Sequence, residues 1–512
     1  HGTLFDGGTG TLLLSGAGTD TLTLAAGPIM GIILNAANVT LLGPASGTTT
    51  VEGTTTSLTL TTGTISWAAS SSSALTVNLA YSQSGGTFDG TNTSGTMTVT
   101  GAFTVSGGAF TGEATTTLNG AFTLSGGTFT GRTTTSLNGT TLTISGGTFN
   151  AGTTTNIGNG AADTFSMTAG TFTAAGTVNI DATTNAISGG TFNGGTATTV
   201  NVDAAFTLSG GTFILSTGSN LFGANFTISG TPTITEGTNT LTFDGGLTVD
   251  VPSTDEQRTF YNLTINAVNV TVTITSGDTL IVTNTLTLTD GEVDTGTINL
   301  QVDDGTETLT HATTFDGGTG IVSITGAGTD SYTLVAFPFS GLTLNAANVT
   351  VNAPATGTAT FEGAVTIQAG TFTVGASTSA VTFSSTFDQS GGTFNGPTGT
   401  GVATFTGAAT ISGGTFDGKS STLDFNGTFT LSGGTWILSS GINRFAGNFT
   451  VSGTPTITEG TNTLTFDGAL TVDVPSTDEQ RTFYNLTINA VALTVTITSG
   501  DTLIVTNTLT LT

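Results

Sequence analysis

The chain has no cysteine, so disulfides and thiolate metal sites are excluded. It has almost no positive charge. Its 512 residues include 5 Lys and Arg (Arg132, Arg258, Lys419, Arg444 and Arg481) and 2 His, against 32 Asp and Glu. A net charge of −27 cannot neutralise phosphates, which argues against nucleic acid and anionic membrane surfaces as partners. Cations, Ca2+ among them, are the electrostatic partners such a chain accepts. No apolar run reaches the ~18 residues of a membrane helix. Leu-, Lys-, Glu- and Ala-rich periodic runs are sparse, so almost no helix is expected. No signal peptide is visible and the first residue is His1; this reads as a processed protein or a segment of a longer one.

What is present is Thr and Gly. There are 76 Gly, and Thr recurs throughout. Thr is β-branched and suits strands, while Gly supplies turns. Apolar residues alternate with polar ones, as in Phe206-Thr-Leu208 and Leu286-Thr-Leu288. Period-two alternation means strands with one buried face, not disorder.

One pentapeptide, Ser-Gly-Gly-Thr-Phe, clean at Ser125–Phe129, organises the chain. Its aromatic falls at Phe88, Phe110, Phe129, Phe149, Phe172, Phe192 and Phe213, at nearly even spacing. It returns at Phe394, Phe416 and, with an aromatic swap, Trp436. A fixed turn and a fixed aromatic that recur every ~21 residues predict a stacked-coil fold: an all-β, parallel β-solenoid. Each coil parses as three short strands and three bends, for example Thr133–Asn138, Gly139–Ile144 and Thr148–Gly152. Leu137, Leu142, Ile144 and Phe149 should point inward, and the ten aromatics should form a core ladder. At ~4.8 Å per coil, roughly 24 coils would extend about 115 Å.

The chain also repeats on a larger scale. His311-Ala-Thr-Thr-Phe315-Asp-Gly-Gly-Thr-Gly320 matches the start of the chain at an offset of 310, and Phe206–Thr289 returns as Phe429–Thr512 at an offset of 223. Two modules follow, 1–310 (pentapeptide coils at 84–235, linker coil 290–310) and 311–512. Between the Phe110/Phe416 and Phe213/Trp436 matches the offset falls from 306 to 223. The loss is about four coils, those of Phe129, Phe149, Phe172 and Phe192. A solenoid can lose whole coils because each touches only its neighbours; a closed sandwich or barrel cannot.

Candidate sites are few. Asp255-Glu256-Gln257-Arg258 and its copy Asp478-Glu479-Gln480-Arg481 hold paired carboxylates that could serve acid/base chemistry on a glycan; an identical loop in both modules, with no His or aromatic beside it, fits better a solvated turn with a local ion pair. Asp20 and Asp330 sit in Gly-Ala-Gly-Thr-Asp segments that approximate a Ca2+-binding nonapeptide. Each copy is solitary, whereas that motif works in tandem, and an ordinary Gly/Asp turn also accounts for it. Thr-x-Thr runs such as Thr54–Thr62 resemble ice-binding faces, but the uneven coil length should break a flat lattice. Trp436 takes a Phe position and reads as core. His1 and His311 lie too far apart in sequence to form a metal site. Sequons at Asn38, Asn92, Asn138, Asn225, Asn262, Asn269, Asn348, Asn426, Asn448 and Asn485 would carry glycans if the protein meets a glycosylation machinery. No catalytic residue, cofactor site or enzymatic activity is assigned.

Phe260-Tyr-Asn-Leu-Thr-Ile265, Thr275-Ser-Gly-Asp-Thr-Leu280 and Thr285-Leu-Thr-Leu-Thr-Asp-Gly291, with the pentapeptide coils, resemble the Thr/Gly/Asn-rich strand repeats of large prokaryotic surface proteins. These are the haemagglutinin-like and autotransporter-passenger β-solenoids, adhesins and cell-surface fibre proteins. The resemblance implies a right-handed parallel β-helix, an extracellular or cell-surface location and a structural or adhesive role. The expected function is a structural subunit of an extracellular filament that self-associates head to tail; an adhesin stalk and a polysaccharide-processing β-helix enzyme are the alternatives.

Overall fold

The structure is a computed structural model that describes residues 10–53, 58–67, 73–91, 93–160, 162–249, 257–274, 279–468, 470–472, 480–489, 495–497, 500 and 502–512. Among these residues there is no helix, and the strands pair in parallel as a β-solenoid of about 20 turns. The period predicts slightly more because some coils are longer than it; the coil from Val51 to its partner Val77 is one. The chain forms two compact units, His1–Ser253 and Thr254–Thr512. The point where the sequence repeat restarts, 310/311, lies inside one strand of the second unit, Thr308–Gly317.

In the first unit each coil contributes three strands. Thr115–Leu118, Phe122–Leu124 and Thr128–Thr130 make one coil; each pairs with its counterpart in the coil above and below. The reason is alternation. In Thr115–Leu118 the side chains of Thr116 and Leu118 are buried while Thr115 and Thr117 face out. Stacking then places like upon like. One inward column runs Ile29, Val51, Val77, Val99, Leu118, Leu137, Ile157, Ile180, Val202, Phe222 and Phe243, one residue per coil. Burying an aliphatic side chain of this size is worth about 1.5–3 kcal/mol, and strands such as Thr115–Leu118 are paired on both edges, so the stack is held without a disulfide.

Leu137, Leu142, Ile144 and Phe149 are all buried, as expected. The parsing of their coil changes in one respect. Thr141–Asn150 is a single strand that runs through the Ser-Gly-Gly corner, with register shifts at Ile144/Ser145 and Ser145/Thr148. Corners also absorb the variation in coil length. On the outer face Thr128, Thr148, Thr171, Thr191, Thr212 and Thr233 stay in register. Added residues enter between strands, not within them; of the run Thr54–Thr62, residues 54–57 lie outside the described residues.

The second unit follows the same plan. It opens with two long strands, Gln257–Ile274 and Thr279–Thr295. Phe416 pairs directly with Trp436, whereas in the first unit Phe129, Phe149, Phe172 and Phe192 stand between Phe110 and Phe213. The stacking closes over the sequence deletion without disturbing register.

Candidate functional site: the corner and the aromatic ladder

The feature repeated most often is the corner that turns the chain and seats an aromatic. Its two glycines fit the corner in different ways. Gly127 has φ of 67°, a left-handed conformation, and a Cβ there would lie 2.5 Å from the Gly108 carbonyl oxygen of the coil below. A Cβ on Gly126 would lie 2.4 Å from the Ser106 carbonyl oxygen. The second position is Gly at each of these corners, with positive φ at Gly127, Gly170 and Gly370, while the first also takes Ala, at Ala169 and Ala369. The fixed corner then delivers the next Thr outward and the Phe inward.

The result is a stack of rings. Phe88, Phe110, Phe129, Phe149, Phe172, Phe192 and Phe213 follow one another at centroid separations of 4.7–5.0 Å with planes within 16° of parallel. All are at most 2% exposed. Such offset stacks add about 0.5–1.5 kcal/mol per pair beyond area burial. Phe394 and Phe416 stack at 4.5 Å, and Trp436 continues the column, fully buried. Phe372 belongs to this column too, stacked on Phe394 at 5.9 Å. It escapes the pentapeptide because its corner reads Gln368-Ala369-Gly370-Thr371. A second stack, Phe361, Phe383, Phe405, Phe425, Phe445 and Phe466, was also missed. Its spacing near the coil period was the available signal.

Polar side chains inside the coils were not anticipated. Gln83, fully buried, donates from Nε2 to the carbonyls of Gly86 (3.2 Å) and Ala109 (3.0 Å), and its Oε1 accepts from the Tyr81 hydroxyl at 2.7 Å. Burial pushes the Tyr81 phenol well up. Gln389 repeats the arrangement, donating to Gly392 (3.3 Å) and Thr415 (2.9 Å). Phe387 replaces Tyr81 there, and the Gln389 Oε1 is left without a partner. These glutamines tie a corner to the coil above.

Four further groups are shaped by burial. Glu113 is fully buried, and neither carboxyl oxygen has a hydrogen-bond partner. Burial raises its pKa to about 8, the positive charge of Arg132 opposing and Asp89 adding to the rise. Asp181 is raised by burial and by sharing a hydrogen bond with Asp203 of the next coil. His311 is 6% exposed and its pKa is lowered to about 4 by burial, against the hydrogen bond between its Nε2 and the Pro338 carbonyl at 3.1 Å. Its ring stands edge-on to Phe315 and Phe339, and it pairs with Leu288 in the core. Glu307 folds back on its own turn. Oε1 accepts from the N–H groups of Asp303 and Asp304 and Oε2 from those of Gly305 and Thr306, at 3.0–3.4 Å.

The Ca2+ candidates stand apart. The Asp330 carboxylate accepts from the Tyr332 hydroxyl at 2.9 Å and the Ser331 N–H at 3.1 Å; Asp20 is exposed on its turn. No group of three or more His, Cys, Asp or Glu that could hold a metal is present among the described residues. Asp255, Glu256, Asp478 and Glu479 lie outside the described residues. Of the sequon residues, Asn138 donates to Asn119 at 3.1 Å in a stacked Asn pair. Asn92 lies outside the described residues. No described helix is long and apolar enough to cross a membrane.

No protein family, no curated protein and no solved structure matches the chain.

Proposed function

We propose that the protein is a structural subunit of an extracellular filament or surface fibre, assembled by end-to-end stacking of coils. The observation that carries this reading is how the chain treats one strand and its copy. Leu286 and Leu288 are fully buried because the strand Thr308–Gly317 lies over them, pairing Leu286 with Leu309 and Leu288 with His311. Their repeat equivalents, Leu509 and Leu511, pair on one side with Leu486 and Ile488 and are 54% and 67% exposed. What covers Leu286 and Leu288 is one more coil laid on in register, the operation that an added subunit would repeat. Unpaired, apolar strand edges are templates for further pairing. The segment that follows the covered edge leads into His311-Ala-Thr-Thr-Phe315, which resembles His1-Gly-Thr-Leu-Phe5.

The mechanism is mechanical. Buried ladders and continuous strand pairing carry load along the stack, and Thr and Asn coat it. The reading assigns no catalytic residue, places the protein outside the cell and makes its main partner another copy of itself. Sedimentation velocity over a range of concentrations tests it. The protein should form concentration-dependent linear species, and the double substitution Leu509→Asp/Leu511→Asp should abolish them while leaving the β-sheet circular dichroism unchanged. A monomer at every concentration, or assembly indifferent to the double substitution, overturns it.

A further inference from the structure

Thr96, Thr115, Thr134, Thr154, Thr177 and Thr199 stand one above another, one per coil, on the outer side of the first unit. Two residues further along each strand runs a second row, from Thr98 through Ser136 and Asn156 to Asn201. Successive partners lie 19, 19, 20, 23 and 22 residues apart, yet none of these pairings carries a register shift. The rows therefore repeat at about 4.8 Å from coil to coil and about 6.6 Å along each strand. Asn179 donates from Nδ2 to the Asn156 Oδ1 at 2.9 Å, and side-chain ladders of this kind hold a sheet flat. Among the described residues the six hydroxyls of the first row have no hydrogen-bond partner within the chain.

Thr is not simply what the fold demands at these positions. In the second unit the same strand positions carry Val402, Asp424, Ile442 and Arg444, with Arg444 Nε on the Asp467 carboxylate at 2.8 Å. The uniform rows belong to the first unit, and Thr134, Thr154, Thr177 and Thr199 lie in the four coils that the second module lacks. Neither row holds a charged or aromatic side chain between Thr96 and Asn201, although the chain carries a net charge of −27. Such a face has nothing to attract an ion and no ring on which a sugar's C–H face could rest. It also has no concavity to enclose a small molecule. One hydroxyl contact in water is worth little net free energy. Many such contacts add up only for a rigid partner whose own repeat matches the rows, because each contact after the first is then already in place. Ice is such a partner: its surfaces are uncharged and rigid, and present rows of oxygen atoms at repeats on the order of those of a β-sheet face. Hydroxyls meet those oxygens as donors and acceptors, and the Thr methyls between them sit over ordered water.

We propose that these two rows are an ice-binding face, an activity the stacking role does not require. The inference rests on the rows alone and is independent of assembly between chains. It is tested on the full chain in two ways: the gap between melting and freezing points of a single ice crystal, and the share of protein taken into slowly grown ice. The parent should open a gap that widens with protein concentration and should enter the ice. Thr115→Arg and Thr154→Arg each place a long charged side chain within the first row. Both should close the gap and leave the protein in the liquid, with the β-sheet circular dichroism of the parent. Thr123→Arg, outward on the neighbouring face where Thr123 pairs with Thr104 and Thr143, should behave as the parent does. A parent that opens no gap and stays in the liquid overturns the proposal, and retention on crystalline cellulose without ice uptake would assign the face to a polysaccharide instead. Full activity in both row variants, or equal loss in Thr123→Arg, overturns it as well.

Discussion

The buried carboxyl of Glu113 makes stability depend on pH in a direction opposite to that of an ion-paired acid. Its ordinary value near 4.5 rises to about 8 in the folded coil. Folding therefore favours the neutral form. Below the unfolded value both states are protonated and there is no penalty. Between about 4.5 and 8 the unfolded chain has released the proton that the folded chain keeps, so stability falls as pH rises, by up to about 1.4 kcal/mol per pH unit. Near and above the folded value the loss is complete, at a few kcal/mol. The groups that face Glu113 act in opposition: Arg132 favours its charge and Asp89 disfavours it. Glu113→Gln keeps the shape and removes the ionisation. The variant should match the parent in apparent Tm at pH 4.5 and exceed it at pH 8.5. Amide exchange in Thr111–Thr116 should be slower in the variant at the higher pH only. Comparison at matched pH and scan rate matters, because long repeat arrays do not unfold in two states. A difference that is the same at both pH values would refute the reasoning, since it would show that Glu113 is not held neutral.

Three further outcomes follow from the packing. Phe387→Tyr should supply the hydroxyl that Gln389 Oε1 lacks and stabilise the second unit by about 1 kcal/mol, while Tyr81→Phe should cost the first unit about as much or more; thermal melts of both variants check this pair. Gly127→Ala should destabilise far more than Gly160→Ala: both have positive φ, costing about 1–3 kcal/mol, but nothing lies within 4 Å of a Cβ at Gly160 whereas the Gly108 carbonyl lies at 2.5 Å for Gly127. Deletion of residues 130–149, one whole coil by the pairing of Thr130 with Asn150, should leave a folded protein with unchanged β-sheet spectrum, whereas deletion of residues 130–139 alone should not fold, because it throws the inward residues out of register.

The parts of this fold that the chain spells out are those that stacking repeats. Thr128-Phe129-Thr130 alternates in one coil and recurs in the next, so strand, face and ladder could all be read from residue order. The loss of four coils could be read for the same reason, since only an architecture of independent layers survives it. What stayed hidden depends on neighbours one coil away. Glu113 looks like any surface acid in Gly112-Glu113-Ala114, and only the coils of Asp89 and Arg132 make its site. Phe372 left the motif when its corner changed from Ser-Gly-Gly to Gln-Ala-Gly, although its place in the stack did not change. The register shifts at Leu288/Asp290 and Gly291/Glu292 are slips between strands and leave no mark on either strand alone.

The central claim is that one chain stacks on the next as its own coils stack. Electron microscopy of the purified protein tests it most directly. The account predicts unbranched filaments in which the strand spacing of about 4.8 Å runs along the axis and continues across each subunit junction, and their loss in the Leu509→Asp/Leu511→Asp variant. Separate particles that never join at any concentration, or filaments whose strands do not stack along the axis, would contradict it.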